Sequence, residues 1–261
     1  MKPAFSVWSR SKPLIIGHRG ASAEAPENTL AAFMLAREQG ADGIEFDAKL
    51  TRDGVVVIHH DRTLNRTTNG TGPLETRSLD ELKDLDAGSF FHPAFQKERI
   101  PTLQEIIEVV GKDLLLNIEL TNYANPRDEL PEAVIAVVRA HQLEARVLLS
   151  SFNRLALRRV HALAPDLLTG LLVRPTQLPC YRAYLRRSCP HDAYHPHYWM
   201  LKESATKTAI SNGMVNVWTV NEEHQMKACI DLGVDALITD RPGFARSVIN
   251  RLMAQPAGST F

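Results

Sequence analysis

Short apolar runs recur along the chain, most of them separated by stretches whose apolar residues fall at helical spacing. Runs at 14–17, Ile44–Phe46, Val55–Ile58, Leu114–Leu120, Val147–Ser151, Leu168–Val173, Val215–Val220 and Ala236–Thr239 are too short for helices and read as buried strands. Helical patterns occupy the neighbourhoods of 28–39, 102–110, 131–141, 153–163, 202–212, 222–232 and 241–253. In the first of these, Leu30, Phe33 and Met34 share a face, Pro26 suits the first turn, and Asn28 or Thr29 can cap it. Strands alternating with helices predict a parallel sheet covered on its outside, and eight strands predict a TIM (β/α)8 barrel. Residues 192–196 are a further strand candidate outside that count.

Two segments break the alternation. Between the runs Ile44–Phe46 and Val55–Ile58, past Asp47, lies only AKLTRDG, too short for a helix. For Glu45 and a residue after Ile58 to share one rim, this segment must run back along the barrel; seven extended residues reach roughly 20 Å, about one strand. The second break, about 61–99 after the third strand, is polar, turn-rich and longer than a barrel loop, as expected of a lid or a substrate-binding insertion. The C-terminal QPAGSTF reads as a frayed tail.

In open and closed α/β sheets, ligands lie beyond the carboxyl ends of the strands, so polar residues there are the chemical candidates. The first run ends in His18-Arg19-Gly20. In GIEFDAKL, Glu45 and Asp47 are two apart, which on a strand puts both side chains on one face, while Ile44 and Phe46 suit the opposite, helix-covered face. Glu119 ends the run LLLNIEL. Three acids from two strand ends would repel unless a cation lay between them. With no Cys or clustered His nearby, oxygen ligands favour a hard cation, Mg²⁺ or Ca²⁺, over Zn²⁺. VVVIHHDRT supplies a second histidine, but His59 and His60 face opposite ways and strand parity does not choose between them. An arginine fork, a hard cation and two histidines on one rim add up to phosphoryl chemistry: charge for the phosphate, a base for the attacking oxygen and an acid for the leaving one.

Bulk properties narrow the partners. The 30 basic and 30 acidic residues cancel, without long runs of one sign, which argues against nucleic acid or an anionic membrane surface as partner. A length of 261 residues suits one α/β barrel domain spanning 1–261. The N-terminal MKPAFSVWSRSKP has no continuous apolar stretch, and Cys180, Cys189 and Cys229 have neither metal-like nor disulfide-framework spacing. A cytoplasmic location and no membrane insertion are expected; homo-oligomerisation stays open.

The ordered set HRG, PENT, IEFDAKL with TRDG, HHD with RTTNGTGPL, IPTL, NIEL, SSF, VWTVN and ITDRPG, from about residue 14 to 244, resembles the glycerophosphodiester phosphodiesterases of the cytoplasmic bacterial type. The resemblance implies a TIM barrel that uses Mg²⁺ or Ca²⁺ to hydrolyse small glycerophosphodiesters to glycerol 3-phosphate and an alcohol. It further implies an initial attack by the glycerol hydroxyl next to the phosphate, giving a cyclic phosphate that water opens. It makes His18 and His60 the acid–base pair, Glu45, Asp47 and Glu119 the metal ligands, and Arg19 a phosphate contact, with Phe152 and Trp218 lining the glycerol side. One position departs from the family pattern: a lysine is usual two residues after the last metal-binding glutamate, and this chain has Thr121. Arg174, following Val173 on the expected rim, is the cation best placed in sequence to compensate. Two alternatives are a lysophospholipase D-like activity, with Phe90, Phe91 and Phe95 of the insertion cradling an acyl chain, and a barrel that binds phosphodiesters without cleaving them.

Overall fold

The structure is a computed structural model that describes residues 5–8 and 13–254; the tail from 255 onward lies outside the described residues. Nine strands are formed: β1 (Leu14–His18), β2 (Gly43–Leu50), β3 (Val56–Ile58), β4 (Leu115–Leu120), β5 (Val147–Ser151), β6 (Leu168–Val173), β7 (Ala193–Pro196), β8 (Met214–Val217) and β9 (Ala236–Thr239). Their order is β1-β9-β8-β7-β6-β5-β4-β2-β3, and β1 also pairs with β2, so eight parallel strands close on themselves. The TIM barrel expected from the alternation is therefore present, but its membership differs. The run at 55–58 is not a barrel stave: β3 pairs antiparallel to β2, with Ala48 opposite Ile58 and Leu50 opposite Val56. The eighth stave is β7, at the 192–196 stretch left out of the sequence count.

Antiparallel pairing explains the short segment between Ile44 and Ile58. β2 runs on to Leu50, the turn at 51–55 closes with the Thr51 N–H donating to the Val55 carbonyl, and β3 returns to the rim. The return is β3 itself. It delivers residues 59 and 60 beside Asp47, whose carbonyl accepts from the His59 N–H at 2.9 Å.

Ten helices are described: α1 (Phe5–Trp8), α2 (Leu30–Glu38), α3 (Leu79–Lys83), α4 (Leu103–Val110), α5 (Leu130–Ala140), α6 (Arg154–Leu163), α7 (Pro179–Ser188), α8 (Ser204–Asn212), α9 (Glu223–Leu232) and α10 (Pro242–Ala254). Their apolar faces cover the staves. In α4, Leu103, Ile106, Ile107 and Val110 are buried at i, i+3, i+4, i+7, and Thr102 and Glu105 form a capping box at its start. Helix α2 begins at Leu30, with Thr29 as cap. Pro26 therefore precedes its first turn, and Asn28 is released for another use. Trp8 is fully buried among Leu14, Leu115, Leu168, Ala193, Met214 and Ala236, the first residues of six staves, and so closes the end opposite the site. Inside the barrel, Gly170 lets His195 fit: a Cβ there would lie 2.6 Å from His195 Nε2. Burial pushes that histidine down to about 3, and its neutral ring accepts from Asn216 Nδ2 at 3.0 Å.

The insertion after β3 is built on its own apolar cluster of Val57, Leu64, Leu74, Leu82, Ala87 and Ile100. A 3₁₀ turn (Leu74–Thr76), α3 and a second 3₁₀ turn (Pro93–Phe95) wrap it. It is a packed wall beside the barrel mouth.

Candidate active site

The peptide His18-Arg19-Gly20 turns sharply at the end of β1. Arg19 and Gly20 are both left-handed, at φ 54° and 88°. Only glycine fits the second position, because a Cβ there would lie 2.6 Å from the Ala32 carbonyl carbon. The turn lets the Arg19 N–H donate to both the carbonyl (2.8 Å) and Oε2 (3.2 Å) of Glu45. Its guanidinium reaches Glu27 (Nη1 to Oε1, 2.8 Å) and Asp47 (Nε to Oδ2, 3.3 Å). Burial opposes that charge, but Asp47, Glu27 and Glu45 outweigh it and hold the guanidinium above its ordinary value.

Period two on β2, with Asp47 beside Glu119 in the β2–β4 register, brings three carboxylates together. Ligand oxygens of Glu45, Asp47 and Glu119 lie within 4.8 Å of one another. Their charges are unequal. Burial, then the charges of Asp47 and Glu119, push Glu45 well above the usual carboxylate range. Burial and Asp47 push Glu119 up to about 7. Asp47 is equally buried but falls below the ordinary value, because Arg19, His60, the Asn28 amide and His18 favour its charged form. Asn28, in the left-handed region at φ 60°, donates from Nδ2 to Asp47 Oδ2 at 2.9 Å. Three converging oxygens, two of them costly to ionise alone, fit a hard divalent cation.

Each of the expected histidines is held at Nδ1 by a carboxylate. His18 Nδ1 donates to Asp240 Oδ1, and His60 Nδ1 to Asp61 Oδ1, both at 2.6 Å. Both Nε2 atoms are thereby directed to exchange protons. His18 Nε2 is 3.9 Å from Glu45 Oε2. His59 turns the other way, is buried, and donates from Nε2 to the Thr63 carbonyl at 3.1 Å.

His18, Arg19, Glu45, His60, Asp61 and Glu119 line a cavity of about 1120 Å³ at the barrel mouth. Phe152, Trp218 and Arg174 form its opposite wall: Phe152 meets the Trp218 ring edge-on at 5.6 Å, and the Arg174 guanidinium sits 4.0 Å above Phe152. Phe90, Phe91 and Phe95 line no part of this cavity; Phe91 packs on Phe95 and Phe90 faces outward. Several polar partners escaped the sequence reading. Asp61 directly follows His60, Asp240 ends the last apolar run, and Glu27 lies in PENT. Tyr123, four residues after Glu119, donates from its hydroxyl to Glu119 Oε1 at 2.6 Å. Lys49, which continues the Glu45–Asp47 spacing by two more residues, donates from Nζ to Thr121 Oγ1 at 2.8 Å. Period two was signal enough for Lys49; Asp240 has no local signal, because its partner lies 222 residues away.

Comparison with known proteins identifies the family. Residues 18–244 match the glycerophosphoryl diester phosphodiesterase family. A glycerophosphodiester phosphodiesterase from Caldanaerobacter subterraneus is 43% identical over 235 residues, 88% of this chain and 95% of its own length. One from Bacillus altitudinis is 36% identical over 233 residues, 87% of this chain and 94% of its own. Among solved structures, an Oleispira antarctica phosphodiesterase in complex with the product sn-glycerol-3-phosphate superposes with a TM-score of 0.83 at 36% identity. It covers 95% of this chain and 99% of its own. A barrel of this topology, the site at its mouth and a family match across most of the length converge on one conclusion: the chain belongs to the glycerophosphoryl diester phosphodiesterase family.

Proposed function

We propose that this chain hydrolyses glycerophosphodiesters to glycerol 3-phosphate and an alcohol, by divalent-cation-dependent acid–base catalysis with His18 and His60. The observation that carries the reading is the convergence of Glu45, Asp47 and Glu119 between two histidines whose Nδ1 atoms are each held by a carboxylate. Glu45, Asp47 and Glu119 would hold Mg²⁺ or Ca²⁺. Bound there, the cation offsets charge on the phosphate oxygens.

The chain's own residues do the rest. Asp240 and Asp61 keep Nδ1–H on each ring, so one neutral Nε2 removes the proton of the attacking oxygen. The other ring, protonated at Nε2, delivers its proton to the departing alkoxide. Arg19 spends much of its charge on Glu27 and Asp47; its Nη2 donates to none of the described residues and is the end that can meet a phosphate oxygen. Phe152 and Trp218 offer apolar surface to the glycerol carbons. An acyl-chain cradle at Phe90, Phe91 and Phe95 has no support, since these rings lie away from the cavity. A purely binding barrel has no need for two oriented histidines.

Release of glycerol 3-phosphate from glycerophosphocholine, glycerophosphoethanolamine and glycerophosphoglycerol tests the reading. If the glycerol phosphate half is what is recognised, kcat/KM should vary by no more than about two decades across the three. Brisk hydrolysis of bis(p-nitrophenyl) phosphate with none of the glycerol diesters would overturn it.

A further inference from the structure

Lys49 is a half-buried cation that makes no ion pair with the described residues. Its side chain lines the same cavity as His60, Glu119 and Thr121, on the same face of β2 as Glu45 and Asp47. The ammonium has three donors. One meets Thr121 Oγ1 at 2.8 Å, and a second, longer contact reaches the Thr121 carbonyl at 3.4 Å. Thr121 Oγ1 is fixed in turn by donating to the Ala48 carbonyl at 2.7 Å, so the hydroxyl presents a lone pair to Nζ. Among the described residues Lys49 forms no ion pair. An ammonium drawn partly out of water and held only by a hydroxyl and a carbonyl keeps donor capacity for an anion entering the cavity. Arg174, the cation expected in this role from sequence, also lines the cavity, but its guanidinium sits 4.0 Å over the Phe152 ring.

We propose that Lys49, held in place by Thr121, is a phosphate-binding residue of this site and contacts the anionic oxygens of the diester and of the glycerol 3-phosphate product. The assignment rests on the phosphodiesterase reading above. Thr121 is then a positioning residue: its short side chain leaves room for the lysine from the neighbouring strand and its hydroxyl aims the ammonium. A second ammonium at position 121 would crowd the first.

The test is calorimetric titration with glycerol 3-phosphate, run beside steady-state kinetics on glycerophosphocholine. Lys49→Gln should weaken glycerol 3-phosphate binding at least about tenfold and lower kcat/KM by at least as much. Ca²⁺ affinity should not fall, because the lost charge is positive. Lys49→Arg, which keeps the charge, should stay closer to the parent than Lys49→Gln. In the Lys49→Gln background, Thr121→Lys should recover binding, whereas in the parent it should not improve it. If Lys49→Gln does not fold, Thr121→Val carries the test, removing the acceptor but not the ammonium; several-fold weaker product binding is expected. Parent-like binding and turnover in Lys49→Gln, or in Thr121→Val in that case, would overturn the assignment while leaving the phosphodiesterase reading intact. A parent protein that neither binds glycerol 3-phosphate nor turns over any glycerol diester would overturn both.

Discussion

At the scale of single residues, the two histidines of HHD show where sequence reasoning stops. Strand alternation separates His59 from His60 but cannot say which faces the site; the antiparallel return of β3 does, sending His59 to the Thr63 carbonyl and His60 to the cavity. If His18 and His60 exchange protons with the reacting oxygens, His18→Ala and His60→Ala should each cost at least about 10²-fold in kcat, and His59→Ala far less. Stopped assays on the three variants check this; a His59 variant as inactive as the His60 variant would reverse the assignment. Asp240 makes a pH-dependent prediction. Burial works against its charge, but His18, Asn221 and Ser22 overcome that and hold the carboxyl at about 2, below its ordinary value. A depressed carboxyl stabilises the fold above the unfolded value and loses that contribution as pH falls through the folded one. The Tm difference between the parent and Asp240→Asn should thus be widest above about pH 4 and shrink towards pH 2. A difference independent of pH would refute the ion-pair account. The carboxylates were legible because Glu45 and Asp47 follow the strand period; their partners were not, because Asp240 and Glu27 reach the site only through tertiary contacts.

At the scale of elements, the insertion is tied to the first barrel loop by charge. Arg66 makes paired hydrogen bonds to Asp61 (2.8 and 3.0 Å) and to Glu27 (2.7 and 2.8 Å), and Glu27 also holds Arg19. A continuous chain of charges therefore runs from His60 through Asp61, Arg66 and Glu27 to Arg19 and Asp47. Such paired contacts orient as well as attract. Arg66→Ala should lower kcat/KM at least about tenfold and speed proteolysis within 61–99, measured side by side; unchanged kinetics would confine Arg66 to the surface. The insertion's length and polarity were legible as an interruption of the barrel. Its packed character was not, because its apolar residues Leu64, Leu74 and Leu82 are too widely spaced to show a period. Helix α7 escaped for a related reason. PCYRAYLRRS buries only Arg182 and Leu185, and Arg182 is there to meet Glu203 at 2.7 Å.

For the molecule as a whole, alternation of strand and helix was enough to reach the barrel, although the count of eight came out right with the wrong member. The apolar run at 55–58 is indistinguishable by composition from a stave, whereas AYHP at β7, within the further strand candidate at 192–196, is poorer in aliphatic residues and so fell outside the count. No helix among the described residues is long and apolar enough to cross a membrane. The acidic cluster couples stability to pH and, under the proposed function, to metal. Glu45 and Glu119 bind protons more tightly in the folded chain than in the unfolded one. Their contribution to stability is complete below about pH 4.5 and, for Glu119, is lost as pH rises to about 7. A divalent cation must displace those protons. At a concentration a hundredfold above its Kd at pH 7.5 it should add about 2.7 kcal/mol, or about 5–10 °C in Tm for a chain of this size. The same concentration should give a smaller shift at pH 5.5, where proton competition raises the Kd. Scanning calorimetry with Ca²⁺ and Mg²⁺ at the two pH values checks this.

The most direct test of the central claim is release of glycerol 3-phosphate from glycerophosphocholine by protein stripped of metal with a chelator, before and after Mg²⁺ or Ca²⁺ is restored. Hydrolysis should vanish in the stripped protein and return with the cation, and it should not return in Glu45→Gln or Glu119→Gln at the same cation concentration. Full activity in thoroughly chelated protein would contradict the account.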